Sequence, residues 1–246
     1  MNRVCLIVAC IYVCCLTANS QPKNMILVPG GQYKTDAGVV VEIAPFYIDK
    51  YEFTMGEFKT FVDATKYVTL AEQKGGGTIM GGVFKDSVNW RHNEKGELVA
   101  IADYDSRPVL YLSYGDVKAF CDWSGKRFLT EAEWDYAFRE AKNSKFKYSG
   151  SNKGSDVAVN DELASRIIYN MAKVGTKKPN ALGIYDMSGN VNEVSLVDSE
   201  TWIIKGGGWL DPLVTLTYTM RREAKLSDAY EIYDWYVGYR LAKDVK

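Results

Sequence analysis

Apolar and polar positions alternate with period two near the start of the chain, through Met25–Val28, Val39–Ile43 and Phe46–Phe53. These runs are broken by Gly30-Gly31 and Asp36-Ala-Gly38, the pattern of short antiparallel strands. The period then changes. Thr54-x-x-Glu57, Ser113-x-x-Asp116 and Thr130-x-x-Glu133 are capping boxes: a hydroxyl caps the first helical turn and an acid three residues on reaches back. Apolar residues follow each box at helical spacing: Phe58, Phe61 and Val62; then Val117, Phe120 and Cys121; then Trp134, Ala137 and Phe138. These faces are read as core, with Cys121 a buried thiol. Between Lys74 and Arg107 the periodicity dissolves into Gly75–Gly77, Gly81-Gly82 and a polar stretch, which reads as a long loop. Residues 142–181 also read as loop, and the last seventy residues as turns and short strands. No repeat or low-complexity segment interrupts the chain.

The first twenty residues stand apart. Arg3, an apolar run from Val4 to Leu16 and Ala18-Asn19-Ser20 have the layout of a secretory signal cleaved before Gln21. The run is shorter than the roughly 20 apolar residues needed to cross a bilayer. Processing as a lipoprotein at Cys10 is the rival reading. Cleavage before Gln21 removes Cys5, Cys10, Cys14 and Cys15, leaving Cys121 alone, so neither an internal disulfide nor a thiolate metal cluster is expected. The remaining 226 residues suffice for one core. They carry 29 basic against 31 acidic side chains, a balance that points away from nucleic acid and anionic membrane surfaces. No later stretch is long and apolar enough to span a membrane. A single histidine, His92, argues against a catalytic triad or a multi-histidine metal site. With 17 Tyr, 9 Phe and 6 Trp the composition suits an irregular α+β domain.

Several stretches together resemble the formylglycine-generating-enzyme, or sulfatase-modifying factor, family. They are Pro45–Thr54, Arg107–Trp123, Lys126–Arg139, Lys178–Val191, Lys205-Gly-Gly-Gly-Trp209 and Gly238-Tyr-Arg240. Their order covers nearly the whole chain from residue 21 to 246. The resemblance implies a single C-type-lectin-like α+β domain with little regular secondary structure. It also implies where oxidase chemistry would sit, because catalytic relatives bind copper through two cysteines shortly after a Gly-Gly-Ser motif. Here Asp211 and Leu216 stand at those positions and Gly208 replaces the serine. Cu(I) needs thiolate or thioether ligands, which a carboxylate and an isobutyl group do not replace. Neither copper nor catalytic residues are therefore expected.

A second family feature matches better. The resemblance implies a structural calcium ion held by the side chains of Asp186 and Glu193 and the carbonyls of Gly189 and Val191. Oxygen donors of this kind suit Ca²⁺. The alternative is that Asp186 caps the turn and Glu193 meets a nearby arginine. Asn192 and Val194 replace the aromatic residues that usually flank this glutamate.

In this fold the strip from the Gly-rich motif to the closing Gly-x-Arg forms the functional face. Candidate ligand-binding residues on it are Trp209, Asp211, Tyr218, Arg221, Arg222, Tyr233 and Trp235, with Tyr230, Asp234 and Tyr236 nearby. Tyr, Trp and Arg are the side chains enriched where binding energy concentrates. Trp209 and Tyr239 are also read as core, and Arg240 as structural. The expectation is an exported, non-catalytic domain that binds a protein or glycan at the cell envelope. The competing expectations are an enzyme with a copper-free chemistry and a hypervariable ligand-binding protein of a diversity-generating retroelement.

Overall fold

The computed structural model describes residues 21–160, 171–225 and 233–245. The proposed signal segment and Tyr230 lie outside them. Near the start β1 (Met25–Val28) forms as expected, β2 (Gly31–Lys34) forms where Gly31 reads as a break, and β3 (Val40–Ile43) and β4 (Phe46–Asp49) form as expected. The last ends four residues before Phe53, where the chain turns toward the first helix. All three anticipated capping boxes are present, on α1 (Met55–Thr65), α3 (Tyr114–Ser124) and α4 (Glu131–Phe138). A fourth, Thr69-x-x-Glu72, opens the one-turn helix α2 (Leu70–Gln73).

The stretch read as a long loop contains a hairpin, β5 (Gly76–Ile79) with β6 (Val83–Asp86), and a 3-10 segment at Ile101–Ser106. All four residues of β6 are exposed, so no face is buried to impose an alternating pattern. The remaining elements are β7 (Arg127–Phe128), the short α5 (Gly154–Val157), β8 (Asn192–Leu196), β9 (Thr201–Lys205), β10 (Arg222–Lys225), β11 (Val237–Tyr239) and β12 (Leu241–Asp244).

Two four-stranded sheets organise these pieces. One runs β1-β4-β12-β7, antiparallel throughout; the other runs β10-β9-β8-β11, with β11 parallel to β8. The chain passes from one sheet to the other between β11 and β12 through the single residue Arg240. The largest core cluster joins Phe53, Phe58, Phe61 and Trp90 to Phe120, Cys121, Trp202 and Tyr239. The helical faces are thus core, and burial pushes the Cys121 thiol up to about 12, which makes it inert. No helix among the described residues is long and apolar enough to cross a membrane.

Candidate functional site

Two neighbouring structures carry the candidate residues: a buried polar turn and an open cavity. The turn runs from Asp186 to Glu193. Asp186, Gly189 and Asn190 all take positive φ (59°, 84° and 62°), so the backbone coils tightly. A side chain at Gly189 would collide with the Val159 carbonyl, which explains the glycine. The turn is tied down by Gly189 N–H to Gly206 O (3.1 Å) and Asn190 N–H to Val159 O (3.0 Å).

Acidic side chains crowd beneath it. Glu193, in β8, accepts from Arg240 Nη2 at 2.6 Å, from Arg240 Nε at 3.0 Å to both oxygens, and from Trp134 Nε1 at 2.6 Å. Arg240 also donates to the carbonyls of Asp49 (3.0 Å) and Tyr185 (2.8 Å), so one guanidinium fastens the turn, β8 and β4 together. Glu52 accepts from Val191 N–H at 3.0 Å and from the Asn190 carboxamide. Burial, then the charges of Asp186 and Glu193, push the Glu52 carboxyl well above the usual range. Asp186 accepts from Gly175 N–H at 2.6 Å, while its Oδ1 is buried without a partner; burial raises it to about 6. Three acids therefore share one guanidinium.

These observations test the calcium expectation. The orphaned Asp186 oxygen and the surplus of buried carboxylates fit a cation bound at the turn. Glu193 could offer only oxygens that already accept from Arg240 and Trp134. No three acidic, thiol or imidazole side chains are arranged as a metal site among the described residues. A calcium ion here would therefore lean on the carbonyls of Gly189 and Val191. Glu52 escaped the sequence reading because it lies 139 residues from Val191 and nothing local marks it.

The Gly-rich strip follows β9. Gly206 and Gly207 have φ of +77° and +72°, and Trp209 N–H donates to Asn190 O at 2.8 Å, pinning the strip against the turn. Asp211 and Leu216 come together beside it: a Cβ placed on Gly207 would stand 2.5 Å from Leu216 Cδ2 and 3.5 Å from Asp211 Oδ2. Neither is chemically free. Leu216 is fully buried among Tyr148, Val157 and Ala158. Asp211 accepts from Gly208 N–H at 2.7 Å and pairs with Arg222 Nη2 at 3.2 Å to each oxygen.

Beside this pair lies a cavity of about 200 Å³ walled by Asn192, Trp209, Asp211, Arg222, Trp235 and Tyr236. Four of the candidate ligand-binding residues meet here. Tyr218 and Arg221 do not; they line a separate cavity of about 360 Å³ with Tyr33, Asp36, Glu131 and Asp135, floored by buried Lys205. Tyr233 packs against the Trp209 and Tyr111 cluster. Trp209 and Tyr239 are core residues as well, and Arg240 is structural, as read. His92 sits apart, half-buried, its Nδ1 beside Asn89.

The sulfatase-modifying factor enzyme 1-like domain matches residues 15–245. The chain belongs to the sulfatase-modifying factor family. It is 29% identical to the formylglycine-generating enzyme of Bos taurus, over 75% of this chain and 60% of that one, so it spans well under the full length of that relative. It is 27% identical to the inactive C-alpha-formylglycine-generating enzyme 2 of Bos taurus, over 78% of each chain. The structure of PvdO from Pseudomonas aeruginosa superposes with a TM-score of 0.68 at 23% identity, covering 90% of this chain and 94% of that one. Family and C-type-lectin-like α+β fold thus agree with the motifs, whereas catalytic and inactive relatives alike carry the domain.

Proposed function

We propose that the chain is a non-catalytic, exported binding member of the family, with the Trp209–Trp235 cavity as its ligand site and a protein or glycan of the cell envelope as its partner. The observation that carries this reading is the pair of positions beside Gly207. Asp211 is locked to Arg222 and Gly208, and Leu216 is sealed in the core, so no two sulfurs are available there for Cu(I). The cavity persists although the chemistry beside it does not, and its walls are aromatic and arginine side chains suited to recognition.

Calcium, on this reading, is a structural clamp. Asp186 and the carbonyls of Gly189 and Val191 hold it, with Glu193 contributing an oxygen shared with Arg240. When bound, the ion neutralises the turn's surplus charge; it takes no part in ligand chemistry. Export rests on the Arg3–Ser20 segment and predicts a secreted chain that begins at Gln21. The binding reading is tested by immobilising the chain and washing it with envelope extract. Retained protein or glycan should be lost at least tenfold more readily from the Trp235→Ala variant; equal retention would remove the cavity from the account.

A further inference from the structure

Resting on that reading, we infer that the cavity receives a single uncharged, hydroxyl-bearing ring: the terminal sugar of a glycan. Size is the first argument. About 200 Å³ is below the usual volume of sites for drug-sized ligands, so it admits one ring but neither a helix nor a peptide strand. Charge is the second. Asp211 and Arg222 are the ionised side chains in the wall, and they neutralise each other at 3.2 Å, so a charged end group gains no net attraction and would have to part them.

The third argument is the accessible polar edge of the cavity. Asp211 and Arg222 keep 27% and 52% of their side chains exposed there. One is an acceptor and the other a donor. A hydroxyl serves both, because it donates one hydrogen bond and accepts others. Vicinal hydroxyls on a ring repeat that capacity along the Asp211 and Arg222 edge. The C–H face of the same ring would lie against Trp235 and Tyr236, which pack edge to face at 5.4 Å. A backbone amide presents its N–H and C=O on opposite sides and matches this pattern less well.

Saturation-transfer NMR on the intact chain tests the inference. One arm offers the methyl glycosides of glucose, galactose, mannose and N-acetylglucosamine; the other offers acetyl-glutamine and acetyl-tryptophan methylamides. At least one glycoside should receive saturation at its ring C–H protons. The signal should fall at least fivefold in Trp235→Ala and stay unchanged in Lys145→Ala, which alters an exposed side chain away from the cavity. Asp211→Asn keeps the shape of the site but frees the Arg222 charge, so it should turn the preference toward a methyl glucuronide even if Trp235→Ala folds poorly. Trp235-dependent saturation of an amide with none on any glycoside would overturn the sugar assignment and leave the binding reading standing. No Trp235-dependent saturation of any probe would also overturn it, and retention of envelope material that ignores Trp235 would bring down both.

Discussion

Two arginine–carboxylate pairs lie near strand β8 and do different work. Arg240 and Glu193 are buried to 0% and 1% side-chain exposure and meet at 2.6 Å, and Arg240 also holds the carbonyls of Asp49 and Tyr185. Arg222 and Asp211 remain 52% and 27% exposed and meet only at 3.2 Å. The first pair cannot be parted without leaving a charge in the protein interior, so it defines how the two sheets join. The second sits in water at a cavity rim, where its Coulomb attraction is screened and its donors remain available to a ligand. Residue type does not separate the two roles; burial and geometry do.

The sharpest way to break this comparison is Arg240→Met, which strands Glu193. It should cost about 3–5 kcal/mol in urea unfolding, and replacing Glu193 with Leu as well should recover part of that. Next in size is calcium. If the turn binds it, free calcium at a hundredfold excess over its dissociation constant should stabilise the chain by about 2.7 kcal/mol relative to a chelated sample. An unchanged melting temperature would remove the clamp.

The second cavity offers a control on buried charge. Burial holds the Asp135 carboxyl up at about 6 although Lys205 Nζ stands 2.8 Å away, with Glu131 and Tyr33 also facing it. The folded chain therefore binds that proton more tightly than the unfolded chain, whose carboxyl titrates near 3.8. Its contribution is present at low pH and is lost as pH rises from about 4 through 6, on the order of 3 kcal/mol. Asp135→Asn should flatten that slope in denaturation measured across the interval, whatever its effect on absolute stability. The smallest effect is expected at the rim: Arg222→Ala should change stability by no more than about 1 kcal/mol while altering ligand preference.

Legibility in the sequence followed the range of the interaction. β1, β3, β4 and the three long helices announced themselves because their signals, alternation and a capping box three residues wide, are local. β5 and β6 did not, since β6 buries neither face. The family motifs located the turn and the Gly-rich strip correctly. The ligand face, by contrast, was read as one surface, whereas Trp209, Asp211, Arg222 and Trp235 share one cavity and Tyr218 and Arg221 another. Adjacent Arg221 and Arg222 diverge because the first reaches Glu131 of α4 and the second Asp211, a division that depends on tertiary placement. Asn192, noted only as a departure from the family's aromatic residue, turns out to line the cavity. It lies on the opposite face of β8 from Glu193, as alternation along a strand requires.

The most direct test of the account is to supply the purified chain with Cu(I), oxygen and a cysteine-containing sulfatase peptide, then weigh both protein and peptide by mass spectrometry. With Asp211 and Leu216 where thiolates would be needed, the account predicts no stoichiometric copper and an unmodified cysteine. A bound cuprous ion together with peptide converted to formylglycine would contradict it.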